Sequence, residues 1–306
     1  MSSLFVFPGQ GAQQPGMLHR LPEDAATLLE QASDCLGHSV LSLDSVEALR
    51  STRAVQLCLL LCGVAWARWL MQRSPQPDYV AGLSIGAYPA AVVAGALAFA
   101  DAVRLVALRG ELMQAAYPSG YGMTALNGLE LAQLEQLIAA VPGPVHVANL
   151  NSDKQIVIAG SETAMAEVVS LARKHHLVAA QRLAVSVPSH CALLDEPAAV
   201  LRHAFAEVPM QRPRITCLSA SAARPLHDPE HLREELAGNM ARRVDWRAML
   251  LNAYQRGVRL QVEMPPGSVL SGLASRVFEH GRALALEHTR ADTVDTLLRR
   301  EVNTDH

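Results

Sequence analysis

The stretch Tyr79-Val80-Ala81-Gly82-Leu83-Ser84-Ile85-Gly86 joins an apolar run to an alanine- and valine-rich segment reaching about Phe99. It reads as a strand over 78–83, a sharp turn at the serine and a helix from Ile85 onward, in the pattern G-x-S-x-G. On such a turn a side chain at either glycine would collide with neighbouring backbone. The serine Oγ then sits over a helix N-terminus, where free N–H groups and the dipole favour developing negative charge. Ser84 is therefore a candidate nucleophile, and the strand-turn-helix unit marks an α/β protein.

Upstream, Leu4 to Phe7 is a short buried strand ended by Pro8-Gly9. Two helical stretches follow. The second, from about Ser51 to Gln72, is apolar nearly all round, as befits a helix in the middle of a core. Its apolar stretch Ala54 to Leu70 is interrupted by Gln56 and Arg68 and falls short of the ~20 residues of a bilayer span. Downstream, Asp101 is placed to cap a helix through Arg109 and Met113 to Tyr117.

Residues 122–186 change rhythm. Strand-like runs at 123–126, 145–149, 155–159 and 179–185 alternate with helical runs at 131–140 and 162–175. The order β-α-β-β-α-β is ferredoxin-like. Residues 1–121 and 187–306 then form one large α/β domain, with 122–186 as an inserted subdomain. The polar stretch Glu301–His306 reads as a frayed tail.

Half of the 306 residues are hydrophobic and 18% are charged, which supports a sizeable core and excludes a disordered or fibrous chain. A net charge of -3 gives no overall attraction to nucleic acid or to an anionic membrane. The five cysteines are an odd number without framework spacing. Cys58 and Cys62 lie one helical turn apart with no second Cys or His pair to complete a zinc site. They read as free thiols in a reducing cytoplasm, with no metal expected. Met1 to Phe5 lacks the basic and long apolar regions of a signal peptide.

Two further motifs accompany the serine turn: Phe7-Pro8-Gly9-Gln10-Gly11-Ala12-Gln13, and Ser186-Val187-Pro188-Ser189-His190-Cys191-Ala192-Leu193-Leu194. With G-x-S-x-G, R-G-x-x-M-Q at 109–114 and G-S-V-L-S-G-L at 267–273, the chain resembles the malonyl-CoA:acyl-carrier-protein transacylase family over nearly its whole length. The resemblance implies an α/β-hydrolase-like large domain with an inserted ferredoxin-like (βαββαβ) subdomain. It implies Ser84 as nucleophile, His190 as general base, and the backbone N–H groups of Gln10 and Ile85 as oxyanion hole. In place of a triad aspartate, a main-chain carbonyl near Asn239 would hold the imidazole. Arg109 would grip the malonyl carboxylate, with Arg104 on the same helix as its rival. The chemistry calls for such a residue. Malonyl differs from acetyl by one carboxylate, which a guanidinium binds through two parallel charge-assisted hydrogen bonds. No bound cofactor is implied: malonyl-CoA is substrate, and the prosthetic thiol of a carrier protein is acceptor.

Most members read G-H-S-x-G-E at the turn, whereas this chain has Leu83 for the histidine and Ala87-Tyr88 after the second glycine. With the segments 82–98 and 108–126, this looks like the malonyltransferase (epsilon or H) subunit of bacterial malonate decarboxylase. That branch implies a carrier bearing a phosphoribosyl-dephospho-CoA arm, and the other decarboxylase subunits as partners. A fatty-acid or polyketide transacylase is the alternative. A serine thioesterase or hydrolase, or a non-catalytic scaffold subunit, would share the same turn. Cys191, beside His190, has no elbow of its own. Arg212, Arg214, Arg242 and Arg243 are candidates for a rim on which an acidic carrier docks.

Overall fold

The computed structural model describes residues 2–303. Its strands in chain order are β1 (Ser2–Phe7), β2 (Tyr79–Gly82), β3 (Tyr121–Asn127), β4 (Val145–Ser152), β5 (Gln155–Ser161), β6 (Ala179–Arg182), β7 (Thr216–Leu218), β8 (Pro225–Leu226), β9 (Val244–Asp245), β10 (Val258–Glu263) and β11 (Arg282–Ala285). The α-helices are α1 (Ala26–Leu36), α2 (Thr52–Met71), α3 (Ala87–Val93), α4 (Phe99–Ala116), α5 (Leu131–Ala139), α6 (Glu162–Ala172), α7 (Asp195–Phe205), α8 (Pro229–Gly238), α9 (Trp246–Gln255), α10 (Val269–Ala274) and α11 (Ala291–Asn303).

The large sheet has the order β11-β10-β1-β2-β7-β8, parallel except for the β7–β8 pair. β1 is buried from Ser3 to Phe7, as a central strand covered on both faces must be. Its side chains alternate between two cores. Phe5 and Phe7 enter the core formed with α2, α3, α4 and α7, while Leu4 and Val6 meet Trp246 and Leu250 of α9 and Leu270 of α10. The register sets Phe7 opposite Gly82, so the loops leaving β1 and β2 emerge side by side. Ligands of open α/β sheets sit at such carboxyl ends.

Several expectations need correction. α2 is an unbroken helix of 20 residues, so its length does reach that of a bilayer span; Gln56 and Arg68 lie within it without interrupting it. Of its most apolar stretch 78% is buried inside the protein, which makes it a core helix. The helix after Ser84 ends at Val93 rather than near Phe99, because Gly95 takes a left-handed φ of 73° and turns the chain. Asp101 does not cap α4. The helix starts two residues earlier, with Ala98 as its N-cap, and Asp101 pairs with Arg104 in the first turn. Glu301 to Asn303 continue α11 instead of fraying, and 304–306 lie outside the described residues.

The small sheet has the order β6-β3-β5-β4-β9. Its first four strands are antiparallel neighbours in the ferredoxin-like arrangement, and β3 begins at Tyr121. Alternation again assigns the faces. Leu126, Ile156 and Ile158 pack under α5 and α6, with Leu134, Met165 and Val168. Met123, Val157 and Ala159 turn the other way, onto Val185 and Cys191. The fifth strand comes from outside the insert: β9 adds in parallel to β4, with Asn149 opposite Val244.

Candidate active site

Ser84 lies one residue, Leu83, beyond the end of β2 and has φ 58°, left-handed backbone that a non-glycine residue rarely adopts. Its flanking glycines are required by space. A Cβ at Gly82 would lie 1.9 Å from the carbonyl carbon of Gly86, and one at Gly86 would lie 2.2 Å from the Phe7 oxygen. The turn therefore crosses over itself and under the loop leaving β1. Leu83 N–H donates to Phe7 O at 3.0 Å, and Gly86 N–H to Leu83 O at 3.0 Å. Ser84 is left half-buried beyond the carboxyl end of β2, where it opens a short 3-10 turn, Ser84–Gly86, leading into α3. Gln10 lies half-buried in the turn after β1, so the two proposed oxyanion residues sit at the ends of adjacent strands.

His190 also has a left-handed φ, 67°, and is buried. Its own N–H donates to Met240 O at 2.6 Å, which fixes the backbone against the turn after α8. The ring Nδ1 lies 2.8 Å from Asn239 O and 3.2 Å from Arg242 O. Two carbonyls can only accept, so Nδ1 carries the proton and Nε2 is left as an acceptor. Burial, and then the nearby Arg109 charge, lower the His190 pKa from 6.5 to about 4, so the ring is neutral at pH 7. A neutral imidazole with a free Nε2 is a competent base.

Arg109 is fully buried at mid-α4. Gly110 beside it lets α4 approach α2 closely: a Cβ there would lie 2.4 Å from the Arg53 Cα. Nη1 donates to Gln56 Oε1 of α2 at 2.7 Å, while Nη2 donates to Asn239 Oδ1 at 3.1 Å and to Ser84 Oγ at 3.2 Å. The Tyr88 ring lies 5.9 Å from the guanidinium carbon, and the Tyr88 hydroxyl donates to Leu236 O at 2.9 Å. Nε is buried without a hydrogen-bond partner. No carboxylate among the described residues pairs with this cation, whose pKa burial lowers. A guanidinium held only by neutral acceptors, with a donor unused, is set to receive an anion. Arg104 is different: it faces solvent and pairs with Asp101 at 3.0 Å.

Ser84, Arg109 and Asn239 are thus in direct hydrogen-bond contact, and His190 joins them through the Asn239 carbonyl. Because Arg109 donates to the Ser84 Oγ, the hydroxyl proton remains available to a base. Cys191 takes no comparable position. Its thiol donates to Pro188 O at 3.3 Å, and burial raises its pKa to about 11. Among the described residues no group of three His, Cys, Asp or Glu side chains is placed to hold a metal. The rim arginines split into two pairs. Arg242 and Arg243 follow the His190-binding turn and pair with Glu234 and Glu135, whereas Arg214 is pinned beside the end of α3 by its N–H to Ala94 O, with Arg212 exposed nearby.

Sequence reading missed two participants. Gln56 stood out only as a polar break in an apolar helix, and that isolation was the available signal. The Asn239 side chain had no signal beyond the main-chain role assigned to its neighbourhood.

Comparison with known proteins bears on the family and the fold. The family description "Acyl transferase domain" matches residues 4–304. The chain is 37% identical over 292 residues to the malonyl CoA-acyl carrier protein transacylase of Haemophilus influenzae, covering 92% of this chain and 94% of that one. The crystal structure of FabD from Acinetobacter baumannii superposes with a TM-score of 0.92 at 35% identity, covering 98% and 99% of the two chains. A malonyl-transacylase in complex with a type II PKS acyl-carrier protein (PlMCAT:AntF) gives 0.91 at 32%, covering 96% and 99%. The chain is an acyltransferase, and it belongs to the malonyl-CoA:acyl-carrier-protein transacylase family.

Proposed function

We propose that this protein moves a malonyl group from malonyl-CoA to the thiol of an acyl carrier protein through a malonyl ester of Ser84. The observation that carries the reading is Arg109: a buried cation with no carboxylate partner among the described residues, 3.2 Å from the Ser84 Oγ. An acyl group bearing its own carboxylate supplies what the guanidinium lacks, and acetyl does not.

In this reading His190 Nε2 takes the Ser84 proton as Oγ attacks the thioester carbon. The backbone N–H groups of Gln10 and Ile85 receive the developing oxyanion. The C–S bond breaks, CoA leaves as a thiol with the proton from His190, and the ester remains on Ser84. The carrier thiol then attacks in the reverse sense. Five unbridged thiols support placing the enzyme in a reducing compartment, the cytoplasm.

The names of the relatives favour an acyl carrier protein of fatty-acid or polyketide type as acceptor. Leu83 and Ala87, where most members have histidine and glutamate, favour a second reading: malonyl transfer to the carrier of malonate decarboxylase, within a complex of its other subunits. Offering a pantetheine-bearing and a phosphoribosyl-dephospho-CoA-bearing carrier side by side separates the two.

Intact-mass measurement after mixing with malonyl-CoA or acetyl-CoA tests the chemistry. Wild type is expected to gain one malonyl group, Ser84→Ala none, and Arg109→Ala to lose malonyl acylation by about a hundredfold or more while keeping acetyl. A malonyl adduct on Ser84→Ala would sink the nucleophile. Equal loss of both acyl groups in Arg109→Ala would make that arginine structural. Turnover by water as fast as transfer to thiol would point to a hydrolase instead.

A further inference from the structure

Asn239 touches His190, Arg109 and Ser84, each through a different atom. Its main-chain oxygen holds His190 Nδ1 at 2.8 Å, its Oδ1 accepts from Arg109 Nη2 at 3.1 Å, and its Nδ2 donates to the Ser84 carbonyl oxygen at 3.2 Å. The residue is buried, so these contacts are not shared with bulk water. The carbonyl contact is blind to side-chain identity. The two amide contacts are not, and they need an acceptor and a donor on one short side chain.

We propose that the Asn239 side chain is a positioning residue that ties the carboxylate-binding arginine to the nucleophile, so that acyl recognition and attack share one frame. The inference rests on the malonyl-transfer reading above. Nη2 divides its donors between Asn239 and the Ser84 hydroxyl. Once the hydroxyl oxygen becomes an ester oxygen it is a poorer acceptor, and Asn239 Oδ1 is what keeps the guanidinium aimed. The Nδ2 bond meanwhile restrains the carbonyl of a residue held at φ 58°. An amide suits the place because it is neutral. A carboxylate there would pair with Arg109 and repel the malonyl carboxylate that Arg109 must receive.

Two variants that leave the main-chain carbonyl to His190 test this: Asn239→Asp and Asn239→Ala, each checked by thermal melt and assayed for Ser84 acylation by malonyl-CoA and acetyl-CoA. For Asn239→Asp the KM for malonyl-CoA is expected to rise at least about tenfold relative to that for acetyl-CoA, while loss of the Nδ2 bond to the Ser84 carbonyl slows acylation by both. For Asn239→Ala the preference for malonyl over acetyl is expected to fall about tenfold. Equal losses for both acyl groups at unchanged KM would show a merely structural side chain and overturn the proposal, as would no change in either variant. Wild type run alongside separates the claims. No wild-type adduct on Ser84 would overturn the malonyl-transfer reading and this inference with it, whereas a normal adduct with equal losses in the variants would overturn this inference alone.

Discussion

A histidine buried beside a cation must titrate well below its ordinary range. Burial first, and Arg109 second, bring His190 from 6.5 to about 4. In the unfolded chain the ring is exposed and protonates near 6.5, so between the two values the unfolded state binds a proton that the folded state refuses. Stability therefore falls as pH drops through that window, by about 3 kcal/mol in full. Above it His190 contributes no pH dependence. Thermal melts between pH 7 and pH 4.5 should show a steeper acid loss for wild type than for His190→Gln. The rate of Ser84 acylation should meanwhile hold down to about pH 5, because the ring stays neutral there. An acid limb centred near 6.5, or parallel melts, would mean that the ring is not desolvated as the fold implies. Ser84 stood out in the sequence by its own strand-turn-helix unit, whereas His190 and Arg109 were reached only through the family resemblance of their motifs; the structure sets Arg109 within hydrogen-bond distance of Ser84. The Asn239 amide was not legible, since its partners are Ser84 and Arg109, 155 and 130 positions away.

At the scale of elements, α2 shows why a polar residue is kept in an apolar helix. Gln56 is fully buried, accepts from Arg109 at 2.7 Å and donates to Met113 Sδ at 3.3 Å. Replacing it by leucine roughly keeps the size and the helix propensity, yet it leaves a buried guanidinium donor unpaired. The expected cost is about 2 kcal/mol, read as a lower midpoint in urea at unchanged m-value. Malonyl acylation should fall more than acetyl acylation, since the misaimed group is Arg109. A Gln56→Leu variant as stable and as selective as wild type would show that Arg109 needs no support from α2. The extent of α2 was readable from its hydrophobicity alone. The end of α3 was not, because the run of alanine and valine continues to Phe99 in composition while Gly95 at φ 73° stops the helix. A left-handed glycine and a tolerated helical one look alike until the backbone is seen.

Over the whole molecule, the inserted subdomain packs directly beside the segment that carries His190. Its inner face, Met123, Val157 and Ala159, packs against Cys191, the residue after His190, and its sheet is completed by β9 from the segment that carries the imidazole-binding turn. The βαββαβ order was readable from the alternation of runs. The fifth strand was not, because two residues carry no periodicity and pair with a strand nearly a hundred positions back. Ion pairs cross the same junction: Arg247 with Asp153, and Arg243 with Glu135 at 3.5 Å. Arg242 and Arg243 are exposed and follow directly on the turn that holds His190, which makes them the first candidates for the rim on which the proposed acidic carrier would dock. Rim charges of this kind act on encounter more than on chemistry. Arg243→Glu should therefore raise the KM for an acidic carrier by about threefold to tenfold and flatten its salt dependence. Ser84 acylation by malonyl-CoA should stay at the wild-type rate. The lost surface pair should cost under about 1 kcal/mol, so a rise in carrier KM cannot be blamed on unfolding if the melt is unchanged. An unaltered carrier KM at low and high salt would remove this face from the docking path and leave the exposed Arg212 and Arg214 as the remaining basic pair to reverse.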